Sequence, residues 1–290
     1  MRTLSALILA FVVMLAAARA DDSRIAVVAA ENFYGSVAKE IGGEGVAVTS
    51  IMNNPDQDPH LFEVSAAVIR QIAAARIVVY NGADYDPWMT KLLTAVARPG
   101  RVAIVAADLV HRRAADNPHL WYDPATMPAM ASALAAALAA SDPVHKDEYA
   151  ARLKTFLASL APLREKIAAI RGKYAGTPVT ATEPVFAPMA EALGLKMDNE
   201  RFQLAIMNDT EPSARDLAAV ERDLTSHRVR VLFYNKQATN KLVAHLVDLA
   251  RAANIPIVGV TETAPPGVSY RDWMLMQLQE TQRALAGPSS

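Results

Sequence analysis

The chain has 290 residues, of which 52% are hydrophobic and 20% are charged, and its formal net charge is -1. This length allows two domains of ordinary size with a substantial buried core. The balance of 29 basic and 30 acidic residues excludes the basic excess that indicates a nucleic-acid partner. Cysteine is absent, so a metal site in this chain must be built from His, Asp and Glu.

The first twenty residues predict a cleaved secretory signal peptide. Arg2 precedes an apolar run over residues 4–17, and Ala18-Arg19-Ala20 has the small-residue pattern of a cleavage site. The run is shorter than a bilayer-spanning helix, and no later segment is apolar for long enough to span a membrane. With no cysteine available for lipid attachment, we expect a free protein of the bacterial periplasm.

Strands and helices alternate in the first half of the mature chain. Continuous apolar runs predict strands at 24–30, 46–52, 77–80 and 102–105. Segments of helical periodicity lie between them at 33–41, 65–75 and 87–97, and Ser65 can cap the second of these. This alternation predicts a parallel sheet with helices on both faces.

A helix at 127–140 leads to the longest predicted helix, which covers residues 144–174. Its apolar positions recur at spacings of four and three, and Pro162 predicts a kink. The stripe consists of Tyr149, Leu153, Phe156, Leu160, Leu163, Ile167, Ile170 and Tyr174. A coiled coil would show the same spacing, but strands and helices resume afterwards, which favours a spine that joins two lobes.

The second half repeats the scheme of the first. Strands are predicted at 177–182, 229–234 and 256–260, with helices at 184–193, 214–224, 239–253 and 270–285. The predicted fold is therefore α/β, with two similar lobes, each a mostly parallel sheet flanked by helices, joined by one long bridging helix. We predict lobes at 21–141 and 176–290 and the bridging helix at 142–175.

Two histidines occupy matching loops. Asp58-Pro59-His60-Leu61-Phe62 and Asn117-Pro118-His119-Leu120-Trp121 both place an imidazole between a proline and an apolar-aromatic pair. Each loop follows a predicted strand, and stiff loops of this kind suit metal ligands. Asp58, Asp123 and backbone carbonyls are the candidate acceptors that would fix each ring in one tautomer.

Two glutamates follow strands of the second lobe. Glu183 comes directly after the run 178–182, and Glu262 follows the run 256–260 with only Thr261 between. Ligands of open α/β sheets bind beyond the carboxyl ends of strands. Two neutral imidazoles and two carboxylates would neutralise a divalent cation. Glu183 could instead begin the next helix, and Glu262 could be an ordinary loop acid. Asp209 and Glu211 are rival carboxylates.

The chain resembles the periplasmic binding proteins of zinc and manganese ABC importers. The resemblance is carried by both Pro-His loops, by Val78-Val79-Tyr80-Asn81-Gly82-Ala83-Asp84, by the long helix after Asp142-Pro143 and by Val260-Thr261-Glu262-Thr263. It implies two α/β lobes with four metal ligands in the cleft. The family's ligand positions fall on His60, His119, Glu183 and Glu262.

The implied function is that of a non-enzymatic, monomeric receptor. It would capture Mn²⁺ or Zn²⁺ as cargo and deliver it to an inner-membrane ABC permease with its ATPase. Zinc members usually carry His at the third position, so Glu183 moves the expectation toward manganese. The His- and Asp-rich loop of many zinc members is missing before His119. A metal-dependent hydrolase or chelatase-like enzyme is the alternative, since two-lobed α/β proteins with His and Glu in a cleft also catalyse reactions. An open position on the metal would distinguish such an enzyme from a receptor.

Overall fold

The computed structural model describes residues 24–55, 59, 62–238 and 240–287, so the predicted signal peptide lies outside the described residues. Two four-stranded parallel sheets form the two lobes. The first has the order β2-β1-β3-β4 and the second β6-β5-β7-β8, so both lobes have the same strand order. This confirms the predicted two-lobed α/β fold.

In the first lobe, β1 lies between β2 and β3. The strands are β1 (Ile25–Glu31), β2 (Val46–Met52), β3 (Ile77–Tyr80) and β4 (Val102–Val105). The helices are α1 (Asn32–Gly42), α2 (Ala66–Ala74), α3 (Pro87–Ala95), α4 (Ala106–Leu109) and α5 (Thr126–Ser141). Ser65 caps α2 as predicted, since its hydroxyl accepts a hydrogen bond from the Val68 N–H.

The second lobe repeats this arrangement with shorter strands. They are β5 (Pro178–Ala181), β6 (Lys196–Met197), β7 (Leu232–Asn235) and β8 (Ile257–Val260). The helices are α8 (Ala187–Ala192), α9 (Glu200–Met207), α10 (Ala214–Thr225), α11 (Lys241–Ala252) and α12 (Tyr270–Ala286). The sequence did not predict α4, β6 or α9.

The segment between the lobes is helical, with the break that Pro162 predicts. It consists of α6 (Lys146–Ser159) and α7 (Ala161–Tyr174), with Leu160 between them. Proline has no N–H to continue the hydrogen-bond ladder, and its ring displaces the carbonyl of the preceding turn. The apolar stripe faces the core: Tyr149, Phe156, Leu160, Leu163 and Ile170 are buried.

One hydrophobic core extends across both lobes. The ring of Phe33 in α1 lies 5.9 Å from that of Trp273 in α12, and the Tyr122 ring lies 5.3 Å from that of Phe186. The last helix therefore packs back onto the first lobe and fixes the two sheets relative to each other. Within the described ranges, no helix combines the length and the apolarity needed to cross a bilayer.

Candidate metal centre

The candidate site lies where the two lobes meet, at the carboxyl ends of their strands. Glu183 follows β5 and Asn235 ends β7, the two central strands of the second sheet. The chain leaves these neighbouring strands in opposite directions, which opens a crevice at this edge. Glu262 follows β8 and His119 comes from the first lobe, so the fold brings three predicted ligands to one place. All three are buried.

Asn117 fixes the orientation of His119. The Asn117 Nδ2 donates to the Pro184 carbonyl at 2.7 Å, so its Oδ1 must face the histidine, where it accepts from the His119 backbone N–H at 2.9 Å. The same Oδ1 lies 2.8 Å from His119 Nδ1, and an amide oxygen can only accept, so Nδ1 carries the proton. In the neutral imidazole this leaves Nε2 with the free lone pair that a metal ligand requires.

His119 Nε2 faces a carboxylate oxygen. The Glu262 Oε2 lies 3.6 Å from it, and among the described residues no hydrogen-bond partner meets this buried nitrogen. A lone pair and a carboxylate oxygen repel each other when nothing positive lies between them. Buried polar atoms without partners are costly in a protein interior, so the arrangement calls for a cation.

Asn235 joins the two glutamates. Its Nδ2 donates to Glu183 Oε2 and to Glu262 Oε1, both at 2.6 Å. The Asn235 Oδ1 accepts from the Gln237 N–H at 3.0 Å, which fixes the amide in this orientation. Two buried carboxylates thus share one amide group, and the two bonded oxygens are held close together. Glu183 begins a short helical turn, but its carboxylate points to Asn235 rather than capping that turn.

Further groups position Glu262. Tyr85 Oη donates to Glu262 Oε2 at 2.9 Å, and the Gln237 side-chain oxygen accepts from the Glu262 backbone N–H at 2.5 Å. Burial raises the pKa of the Tyr85 hydroxyl well above its ordinary value, and the nearby Glu262 charge adds to the effect. Tyr85 is therefore neutral and can donate. Its ring and that of His119 pack around Trp121, which walls the site with aromatic surface.

The structure brings only some of the predicted site residues together. His60 lies outside the described residues, as does Asp58, one of the candidate acceptors. In the part of the chain that the structure describes, no three His, Asp or Glu side chains already form a metal-binding group. The rival Asp209 is exposed and lies in a left-handed turn at φ 50°. Asp123 is a wrong candidate for orienting His119, because it pairs with Arg112 and the Ala125 N–H instead.

The family comparison decides the class of protein. The family ZnuA, described as zinc-uptake complex component A, periplasmic, matches residues 27–284. The chain belongs to this family. Membership confirms the predicted class, a metal-binding component of an uptake system, and it gives no support to the hydrolase alternative.

Known proteins similar to this ZnuA-family chain agree in class but not in metal. The manganese-binding lipoprotein MntA of Bacillus subtilis is 24% identical over 246 residues, which are 81% of this chain and 78% of MntA. The manganese ABC transporter substrate-binding lipoprotein PsaA of Streptococcus mitis is 22% identical over 313 residues, with 98% of each covered. The solved periplasmic zinc-binding protein TroA of Treponema pallidum has a TM-score of 0.74 at 19% identity, with coverage of 90% and 99%. That likeness shows the shared fold.

Proposed function

We propose that this protein captures a divalent transition metal, Mn²⁺ or Zn²⁺, between its lobes and delivers it to an ABC permease driven by an ATPase. Its ligands are His60, His119, Glu183 and Glu262. It acts as a monomeric receptor of the periplasm without enzymatic activity, and without the lipid anchor that the names of two relatives indicate. The lobes comprise residues 21–141 and 176–290, joined by 142–175.

The observation that carries this proposal is the buried His119 Nε2, which faces Glu262 and has no hydrogen-bond partner among the described residues. Asn117 fixes the ring tautomer, and the two acceptor atoms lie 3.6 Å apart in a buried site. A divalent cation between them would accept both lone pairs and relieve the repulsion. Glu183 lies on the other side of Asn235 and supplies the second negative charge. Two neutral imidazoles and two carboxylates leave no net charge around a divalent ion.

The donor set favours manganese as the physiological ion. Carboxylate oxygens suit Mn²⁺, whereas a site richer in imidazole suits Zn²⁺. The affinity order of divalent ions still places Zn²⁺ above Mn²⁺ at such a site, so the bound metal depends on supply as well as on geometry. Metal analysis of protein purified from its native periplasm distinguishes the two.

Release proceeds by rearrangement of a ligand loop rather than by a large lobe rotation. The lobes are tied by paired hydrogen bonds between Asn32 and Ala264 at 2.8 and 3.0 Å, and by Tyr270 Oη to the Trp121 carbonyl at 2.8 Å. The core that continues through α12 would have to separate in a hinge motion. Crystal structures with and without metal that differ by a large rotation would contradict this mechanism.

Ligand substitution tests the site. His60→Ala, His119→Ala and Glu183→Ala should each weaken metal binding at least roughly tenfold, about 1.4 kcal/mol, in a calorimetric titration with Mn²⁺ and with Zn²⁺. His245→Ala and Glu165→Ala are matched controls, because both side chains are exposed, in α11 and α7 respectively. If the three ligand variants bind metal like the controls, the site assignment is wrong.

A further inference from the structure

A second pair of carboxyl groups lies buried in the first lobe. Glu31 ends β1 and is 0% exposed, and Asp86 precedes α3 and is 1% exposed. Continuing the β1–β3 register places Glu31 opposite Asn81, whose N–H binds the Asp86 carboxylate, so the two carboxyl groups are neighbours. Neither belongs to the proposed ligand set, so the metal does not account for their burial.

The donors around this pair are divided unequally. Asp86 accepts from the Asn81 N–H at 2.7 Å and from the Gly82 N–H at 2.8 Å, one bond to each oxygen. Both Glu31 oxygens are buried, and within the described residues no other residue donates an N–H or O–H to them. Two ionised carboxylates cannot hydrogen-bond to each other, and both cannot remain charged in a buried contact. One proton must lie between them, and Glu31 is its carrier.

The loop held by Asp86 contacts both halves of the candidate metal centre. Asn81 Nδ2 donates to the Pro118 carbonyl at 2.8 Å, immediately before His119, and Tyr85 Oη donates to Glu262. The loop is strained, since three successive residues have positive φ: Gly82 at 74°, Ala83 at 50° and Asp84 at 60°. Such a conformation persists only where surrounding bonds enforce it, and the Asp86 carboxylate supplies two of them.

We propose that Glu31 and Asp86 share one proton at neutral pH and act together as positioning residues for the loop 81–86. Glu31 donates its O–H to Asp86, which keeps Asp86 ionised and its two N–H bonds strong. The loop then holds the Pro118–His119 peptide and the Glu262 carboxylate in place. The link to metal binding depends on the proposed function, whereas the shared proton and the loop can be measured without metal.

The pKa directions agree with this assignment. Burial, reinforced by the Asp86 charge, raises the pKa of Glu31 well above its ordinary value. Burial raises the pKa of Asp86 only to about 6, because the Gly82 and Asn81 N–H groups favour its ionised form. Within the described ranges, the other titratable groups that face the pair are the hydroxyls of Tyr34, Tyr80 and Tyr85, whose pKa values are raised from 10.0, so they stay neutral at neutral pH.

The first test counts protons in the metal-free protein. Glu31 is protonated in the folded state and ionised in the unfolded state near pH 7, so folding takes up a proton and stability falls as pH rises. Urea unfolding from pH 6 to 8 should show about one more proton taken up by the wild type than by Glu31→Gln. Glu44→Gln, at an exposed site, should behave like the wild type. Equal slopes for Glu31→Gln and the wild type would overturn the shared proton.

The second test follows the loop by amide hydrogen exchange without metal. Exchange at Asn81 and Gly82 should accelerate at least roughly tenfold in Asp86→Asn and Glu31→Ala, relative to Val28 and Ala29 in β1, and should return toward wild type in Glu31→Gln. The Gln amide can still donate to Asp86. The positioning role would be overturned if exchange at Asn81 and Gly82 is unchanged in Asp86→Asn. It would also be overturned if the amides of β1 exchange faster to the same extent.

The third test connects the loop to the cargo. Glu31→Ala should weaken Mn²⁺ binding more than Glu31→Gln does, because only the glutamine retains a donor to Asp86. Equal affinities in these two variants would overturn the connection to the metal centre. If the wild type itself binds neither Mn²⁺ nor Zn²⁺, the proposed function fails, while the two metal-free tests still decide the fate of the carboxyl pair.

Discussion

The amide of Asn235 is the most informative place to perturb the metal centre. Its Nδ2 group stands between Glu183 and Glu262 and donates to both at 2.6 Å. Asn235→Ala removes this donor and leaves two buried carboxylates facing each other. We expect the metal-free protein to lose stability and the metal-bound protein to lose much less, since a divalent cation supplies the positive charge that the amide dipole had supplied.

The magnitude follows from the two bonds. A hydrogen bond to a charged group contributes about 1.5–3 kcal/mol. Water entering the space, or protonation of one carboxyl, recovers part of the loss. The free energy of unfolding should therefore fall by about 2–4 kcal/mol without metal. For a chain of this size each kcal/mol shifts the melting temperature by about 2–4 °C, which gives a decrease of roughly 4–16 °C.

Calorimetric melting with and without excess Mn²⁺ measures both effects. Asn208→Ala is the matched control, because Asn208 is exposed at the end of α9. The rise in melting temperature on adding metal should be larger for Asn235→Ala than for the wild type. A metal-free melting temperature within about 1 °C of the wild type, well under 1 kcal/mol, would refute the bridging role. Equal metal-induced rises would refute the idea that metal and amide do the same electrostatic work.

Two further predictions concern parts of the fold away from the metal. Gly172→Ala should stabilise the protein by about 0.5–1 kcal/mol, since a methyl group at this helical site meets nothing within 4 Å. Gly35→Ala should instead cost about 1–3 kcal/mol, because the added methyl group would overlap the Ser50 hydroxyl. Urea unfolding measures both changes in stability, and changes of the same sign in the two variants would contradict the packing of α1. His145→Ala should raise the pKa of Asp142, which the hydrogen bond from His145 holds below 3.8, and NMR titration would detect it. The same contact raises the pKa of His145 from 6.5. The pair therefore contributes stability that is lost as pH falls through the Asp142 pKa and as pH rises through the His145 pKa. If the pKa of Asp142 is unchanged in His145→Ala, the pairing is contradicted.

Strands with strong local signals could be predicted to the residue. β2, β3 and β4 match the expected bounds because each is a short run rich in Val and Ile, and β2 and β3 are each followed by an asparagine. β6 has two residues and no periodic signal, so it escaped prediction. α9 begins after Asn199 at φ 65° and has eight residues, which is too short for a clear helical period.

The positions of the site residues could be predicted from the sequence, but their hydrogen-bond partners could not. Glu183 and Glu262 were selected because they follow strands, and the structure brings both to Asn235, which is 52 and 27 residues away along the chain. Pairings of that kind depend on the tertiary fold rather than on local sequence. The same rule also selects Glu31, which directly follows the run 24–30, and it selects Asn235 once it is extended to amide side chains.

The repeated lobes explain why the two buried sites exist. Val27 pairs with Ile77 in the first sheet and Ala181 with Phe233 in the second, so continuing each register places Glu31 opposite Asn81 and Glu183 opposite Asn235. Both lobes therefore carry a Glu-Asn pair at the crevice where the strand order reverses.

The two pairs differ in what their asparagines contact. Asn81 donates its side-chain amide to the Pro118 carbonyl and not to Glu31, so Glu31 is neutralised by the proton that we propose it shares with Asp86. Asn235 turns its amide to Glu183 and Glu262, which keeps Glu183 beside Glu262, whose Oε2 lies 3.6 Å from His119 Nε2. The same architectural position thus serves as a neutralised support in one lobe and as the charged half of a cation site in the other. Under the two proposals, a cation enters the second pair rather than the first because the shared proton already supplies positive charge to the first.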